Sequence, residues 1–320
     1  MESAHDVSVA VVDAGGTLVA SAGNPGLVTF WRSAAKPFQT LPLLRDGATE
    51  RFGLDDEDLA IATSSHSSEP FHLAAVDRFM AKTGVTEAQL ACGAHPPLSP
   101  EVARRVVREG ITMTPRWSNC SGKHTGMVAL TQHHGWPLEH YHRTGHPTQE
   151  RLLAEICRWT ALRPEQVTQA VDGCTTVCFG LPLDAMARAY ARLGTDPDVY
   201  MRRLWGAITA RPDLIAGTGR LCTDLMRLWP GGIFAKVGAD GVYSAAIPSH
   251  GLGIAIKVTD GDATAVSVAL VSVVRQLLER DGPHEILDRL GELAEHGEPV
   301  IKNTRGETVG QVRATGRLAF

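Results

Sequence analysis

The chain has 320 residues, 43% of them hydrophobic, enough for a sizeable core in one large domain or two average ones. Its formal charge of -4, with acidic and basic residues intermixed, argues against a nucleic-acid or anionic-membrane surface as the main partner. The longest apolar stretch, Ala263 to Val274, is too short to span a bilayer, and Met1-Glu2-Ser3-Ala4-His5-Asp6 lacks the basic start and apolar run of an export signal.

Val7 to Val12 predicts a strand, Asp13-Ala14-Gly15-Gly16 a turn and Thr17 to Ser21 a returning strand, together a hairpin. Gly23-Asn24-Pro25-Gly26 reads as a loop. A helix begins near Ser33, which can cap it; Pro37 falls in its first turn, and Pro42 is expected to kink or end it. Helical periodicity follows at Phe71 to Lys82, Val102 to Val107, Lys123 to Gln132, Gln149 to Trp159, Leu183 to Leu193 and Val199 to Thr209. Gly232 to Val237, Gly241 to Ile247 and Leu252 to Val258 are short apolar runs between glycine-rich turns, with Ala239-Asp240-Gly241 a hairpin turn; Asp262 to Glu279 is a long apolar helix. This order predicts an α+β fold in one domain, residues 1–320. Its antiparallel sheet is built from both chain ends, with flanking helices and a helical lobe over about 70–215.

Six cysteines occur without an export signal, so reduced thiols in a cytoplasmic enzyme are expected, and no second Cys pair accompanies Cys174 and Cys178 to complete a zinc-finger spacing.

The chemistry-bearing residues fall in clusters. Ser33 and Lys36 are three positions apart, one helical turn, where an amine can take a hydroxyl proton. Ser64-Ser65-His66-Ser67-Ser68-Glu69-Pro70 concentrates hydroxyls and an imidazole; as a bland feature it is a polar turn. Asn119-Cys120-Ser121-Gly122-Lys123-His124 opens a helix, whose free N–H groups make an anion or oxyanion site. Asp172-Gly173-Cys174 is a turn with a thiol. Gly217-Thr218-Gly219-Arg220 lacks the Walker spacing, which argues against nucleotide binding; Arg220 suits a carboxylate instead. Lys236-Val237-Gly238 supplies a second cation far downstream.

In this order the clusters resemble the bacterial L-asparaginase II family, the Rhizobium etli-type asparaginases, from Val7 to beyond Lys257. The matching motifs are Arg-Ser-x-x-Lys-Pro-Phe-Gln, Ser-His-Ser-x-Glu-Pro, Asn-Cys-Ser-Gly-Lys-His-x-Gly-Met, Asp-Gly-Cys, Gly-Thr-Gly-Arg and Lys-x-Gly-Ala-Asp-Gly-Val. The resemblance implies a fold like that of serine β-lactamases and glutaminases and hydrolysis of L-asparagine to L-aspartate and ammonia. It also implies two Ser–Lys tandems, Ser33 with Lys36 and Ser65 with Lys236; Lys257, outside the Lys-x-Gly motif, is the weaker second lysine. It further implies a modulatory zinc site at Cys120, Lys123 and Cys174, and a homodimer. The family pattern continues Asp-Gly-Cys with Gly and a nearby Pro; this chain has Thr175-Thr176-Val177-Cys178 instead, which bears on substrate choice and metal affinity.

On this reading a serine, Ser33 in preference to Ser65, attacks the side-chain amide to form an acyl-enzyme. Arg32, Arg220 and His124 are candidates for the substrate carboxylate, Asp172 for its ammonium, and Cys174 also lies at the substrate. The same parts also fit a glutaminase, another Ser–Lys amidase or a β-lactamase-like hydrolase. A zinc-tuned binding protein without turnover is the non-enzymatic alternative.

Overall fold

The strand Val7–Asp13 has five consecutive buried residues, so both its faces are covered, as expected of a central strand. The computed structural model describes residues 1–320 and places this strand in a five-stranded antiparallel sheet. The strand order is Leu18–Ala22, Val7–Asp13, Leu252–Val258, Val242–Ile247 and Phe234–Val237. The sheet therefore joins both chain ends, and the fold is α+β with flanking helices, as the sequence predicts. Helices Leu183–Thr195 and Ala263–Asp281 pack against it. Between Phe234–Val237 and Val242–Ile247, Asp240 and Gly241 both take positive φ, 56° and 68°, in a three-residue loop closed by the Gly238 N–H on the Val242 carbonyl. No helix is long and apolar enough to cross a membrane.

The chain divides into two compact units. The sheet unit comprises 1–29, 181–195 and 224–320; the helical unit comprises 30–180 and 196–223. The helical part thus starts forty residues before the expected lobe, because helices Lys36–Arg45 and Asp56–Thr63 pack with Ser121–His134 and Val199–Ala210. The Asp56–Thr63 helix, which no predicted element covers, begins with a capping box: Asp55 accepts from the Asp58 N–H while the Asp58 carboxylate accepts from the Asp55 N–H.

Ser33 does not cap the first helix. It lies inside a 3₁₀ turn, Arg32–Ala35, that runs directly into Lys36–Arg45 with no side-chain cap. Pro42 does not end that helix either, since residues Lys36 to Leu44 are buried and packing holds the turn that lacks its N–H. The strand Val28–Phe30 and the pair Thr168–Val171 with Val177–Pro182 are further additions to the predicted elements, as is the exposed C-terminal hairpin Val300–Lys302 with Thr308–Gln311.

Candidate active site

Helix Ser121–His134 crosses helix Asp56–Thr63 at Gly122, where a Cβ would lie 2.2 Å from the Ile61 carbonyl oxygen, so only glycine admits this approach. The crossing sets the start of one helix beside the end of the other. Beyond Thr63 the chain turns extended at Ser64 and runs buried through Ser68. Its hydroxyls satisfy neighbouring carbonyls: Ser64 Oγ donates to Ile61 at 2.7 Å, Ser67 Oγ to Ala216 at 2.8 Å and Ser68 Oγ to Trp117 at 2.8 Å. Ser65 is fixed through its backbone, its N–H on the Ile215 carbonyl and its own carbonyl accepting Arg220 Nη1 at 2.7 Å. Arg220, expected at a substrate carboxylate, thus holds the serine loop.

Lys36 is fully buried. Its Nζ lies 2.5 Å from the Ser64 carbonyl, 3.0 Å from Ser65 Oγ and 3.3 Å from the Asn119 carbonyl. With Cys120 also beside the amine, its donors are taken by these neighbours, and the Ser33 hydroxyl makes no bond to Lys36. No carboxylate pairs with the amine. Burial pushes its pKa below the ordinary lysine value and the nearby Lys123 adds to this, against opposing pulls from Cys120 and Cys174. A neutral amine fits the same geometry: it donates to the two carbonyls, which can only accept, and its lone pair receives the Ser65 hydroxyl.

Lys123, one turn into the next helix, is its opposite. Its Nζ lies 3.0 Å from Cys174 Sγ, and the Cys174 and Cys120 sulfurs outweigh burial and raise its pKa above the ordinary value. The Cys120 thiol, which donates to Cys174, brings the Cys174 thiol down to about 6 against burial, with Lys123 assisting. Cys120 is correspondingly pushed up to about 12 by that same bond and by burial. The chain forms no group of three or more His, Cys, Asp or Glu side chains placed to hold a metal ion. Two sulfurs and one nitrogen do converge at Cys120, Lys123 and Cys174, a donor set whose chemistry suits zinc provided Lys123 gives up its proton.

Arg32 Nε donates to Asp172 Oδ1 at 2.8 Å. Lys123 and Arg32 hold the Asp172 carboxyl below its usual value despite burial, which acts to raise it. Asp172, Gly173 and Cys174 lead into Thr175, which takes φ 74°; Arg32 and Ser68 are also left-handed, at 54° and 59°. For a β-branched residue this is a true outlier, held here by the Thr175 N–H on the Asp172 carbonyl and by Thr175 Oγ1 donating to the Ala91 carbonyl at 2.7 Å. Ala91 in turn donates its N–H to Tyr141 Oη at 3.0 Å, and Tyr141 Oη lies 2.6 Å from His124 Nδ1. Burial drives the His124 pKa down to about 3, with Lys123 adding to it.

The structure therefore brings Lys36 to Ser65, Lys123 to Cys174 and Cys120, Arg32 to Asp172, and His124 to Tyr141. Lys236 lies in the sheet unit on strand Phe234–Val237, fully buried, its amine 3.0 Å from the Val237 carbonyl. Lys257 is on strand Leu252–Val258 with its amine on the Asp240 and Val258 carbonyls. Tyr141 and the Asn119 carbonyl escaped the sequence reading. Tyr141 sits in a polar, histidine-rich loop that gives no periodic sign of burial, although it is 3% exposed.

The sequence profile described as L-asparaginase II matches residues 1–314. No curated protein matches the chain. Among solved structures it is similar to a β-lactamase from Mycobacterium bovis, with 14% identity over 83% of this chain and 94% of that one and a TM-score of 0.41. It is also similar to a penicillin-binding protein homologue from Pyrococcus abyssi, with 11% identity, 84% and 73% coverage and a TM-score of 0.37. Both are overlaps too loose to bear on the chemistry.

Proposed function

Because the chain belongs to the L-asparaginase II family and is an amidohydrolase, we propose that it hydrolyses L-asparagine to L-aspartate and ammonia through an acyl-enzyme on Ser65, with Lys36 as base. The observation that carries this is the Lys36 amine, buried without a carboxylate and 3.0 Å from Ser65 Oγ. Ser65 Oγ bonds to the side-chain amide carbon as its proton passes to neutral Lys36. The developing oxyanion is met by the N–H groups of Gly122 and Lys123, which open the helix after Cys120 and lack partners within it. Collapse breaks the C–N bond, and the leaving nitrogen takes the proton from Lys36 and departs as ammonia. Water then attacks the ester, gives its proton to Lys36, and Ser65 regains it as aspartate leaves. In the same proposal Asp172 receives the substrate ammonium. By resemblance to the family's second tandem, Lys236 is its lysine. Cys120, Lys123 and Cys174 would hold zinc, which when bound supplies a positive charge beside the substrate.

The test is ammonia release from L-asparagine and L-glutamine by the purified chain, with and without chelator, joined to mass spectrometry of the quenched enzyme. An acyl adduct on the Ser65 peptide is expected. An adduct on the Ser33 peptide would move the nucleophile there, and no release from either amide would remove the substrate assignment.

A further inference from the structure

His124 Nε2 is fully buried and has no hydrogen-bond partner. The protonation of this ring follows from counting. Tyr141 Oη accepts the Ala91 N–H at 3.0 Å, and its other neighbour is His124 Nδ1 at 2.6 Å. If the phenol donates to Nδ1, the ring carries its proton on Nε2 and the network has one unsatisfied atom, the Nε2–H. If Nδ1 carries the proton instead, both the phenol O–H and the Nε2 lone pair are stranded in the interior. One unmet group costs less than two, so the first arrangement holds.

An N–H with no acceptor in the protein is an unmet donor of the kind a ligand oxygen satisfies. Its place supports that use. His124 stands four residues after Cys120, on the same face of the helix Ser121–His134, and directly follows Lys123, so it lies in the electropositive first turns. The other two residues considered for a carboxylate are engaged with protein oxygens: Arg32 Nε with Asp172 and Arg220 Nη1 with the Ser65 carbonyl.

We infer that Tyr141 is a positioning residue that fixes His124 as the Nε2–H tautomer, and that this N–H receives a carboxylate oxygen of the amino-acid substrate. The inference rests on the amidohydrolase reading above for the nature of the ligand, but its first half concerns the free protein alone. The Ala91 peptide extends the arrangement: its carbonyl is held by Thr175, in the loop where this chain departs from the family pattern, and its N–H holds Tyr141. The lock on His124 is therefore tied to the loop that carries Cys174.

The test uses ¹⁵N-histidine-labelled full-length protein, with the His124 signals assigned by their loss in His124→Gln. In the free protein Nδ1 should have the shift of an unprotonated ring nitrogen and Nε2 that of a protonated one; the reverse pattern overturns the inference. Saturation with L-aspartate, the product, should move the Nε2–H proton downfield. An Nε2–H that stays in place while aspartate binds, as shown by other shifts, means that buried water takes it, and the ligand half falls. Failure of aspartate to bind at all strikes the substrate reading and is separately visible, because the tautomer is read without ligand. Tyr141→Phe should raise KM for asparagine roughly tenfold with kcat changed less than about threefold, the mark of a lost binding contact. It should also leave both ring nitrogens partly protonated. A variant with wild-type KM and an unchanged tautomer overturns the role given to Tyr141.

Discussion

Two lysines are buried in the helical unit, and they behave in opposite ways. Lys36 bonds two carbonyls and a hydroxyl with Cys120 beside them, and burial outweighs the upward pull of the thiols and lowers its pKa. Lys123 faces a thiol pair able to carry a negative charge, and its pKa rises. Burial and the thiol pair act on both; the direct 3.0 Å contact of Lys123 with Cys174 tips the balance to the opposite sign. The comparison separates the two sites by task, since an amine whose pKa is lowered is the better suited to serve as a base and one whose pKa is raised to hold an anion or, once deprotonated, a metal.

The sharpest way to break this contrast is to remove each amine's partner in turn. Ser65→Ala should lower turnover roughly 10⁴-fold with the fold intact, and Lys36→Met should do the same, because a nucleophile and its base act as a unit. A Ser33→Ala variant that loses more turnover than Ser65→Ala would sink the Ser65 assignment. Lys36→Met should cost about 1–2 kcal/mol, since it strands the Ser64 and Asn119 carbonyls but leaves no unpaired charge. Cys174→Ala is the counterpart. It leaves the Lys123 cation buried without its nearest anion and should cost about 3 kcal/mol in chelator-treated protein, read by urea denaturation. Equal stability losses in Lys36→Met and Cys174→Ala would erase the distinction.

A third group sharpens the contrast between burial with and without a charge partner. Burial holds His72 down to about 4, although Glu69 and the Asp213 carbonyl pull it upward. Its folded value lies below the unfolded one near 6.5, so the native state binds fewer protons than the unfolded chain between these two values. Stability from this group is therefore fully present above about pH 6.5 and is lost as the pH falls toward 4, by on the order of 3 kcal/mol in all. His72→Gln should flatten that part of the stability–pH curve, checked by thermal melts from pH 7 to 4. A curve as steep as wild type would mean that another group carries the acid sensitivity. Tyr141→Phe, with its expected KM change and little effect on kcat, is the smallest perturbation of the series.

Much of the sheet was legible in the sequence, because short apolar runs and the Asp240-Gly241 turn are local signals. The long helices were legible for the same reason. The site was legible in its residue types and less so in its pairings. Ser33 and Lys36 share a local spacing, yet the Lys36 amine meets Ser65, 29 residues later, because Gly122 lets two helices cross closely enough to bring the Ser64–Ser65 loop over it. Such a meeting depends on tertiary approach, which no spacing encodes. Tyr141 was invisible for the same reason: its role comes from a peptide fifty residues away in sequence.

Arg32, Ser68 and Thr175 hold a backbone conformation that side chains with a Cβ seldom adopt, and each belongs to a segment carrying a proposed site residue. Conformational freedom there is given up when the chain folds and not when a ligand arrives. A receptor of this kind meets its substrate already in shape. Its affinity then follows from the oxygens and nitrogens it presents, with little spent on reorganisation. In calorimetry aspartate binding should accordingly show only a small heat-capacity change, and Thr175→Gly, which frees that backbone, should make the entropy of binding less favourable.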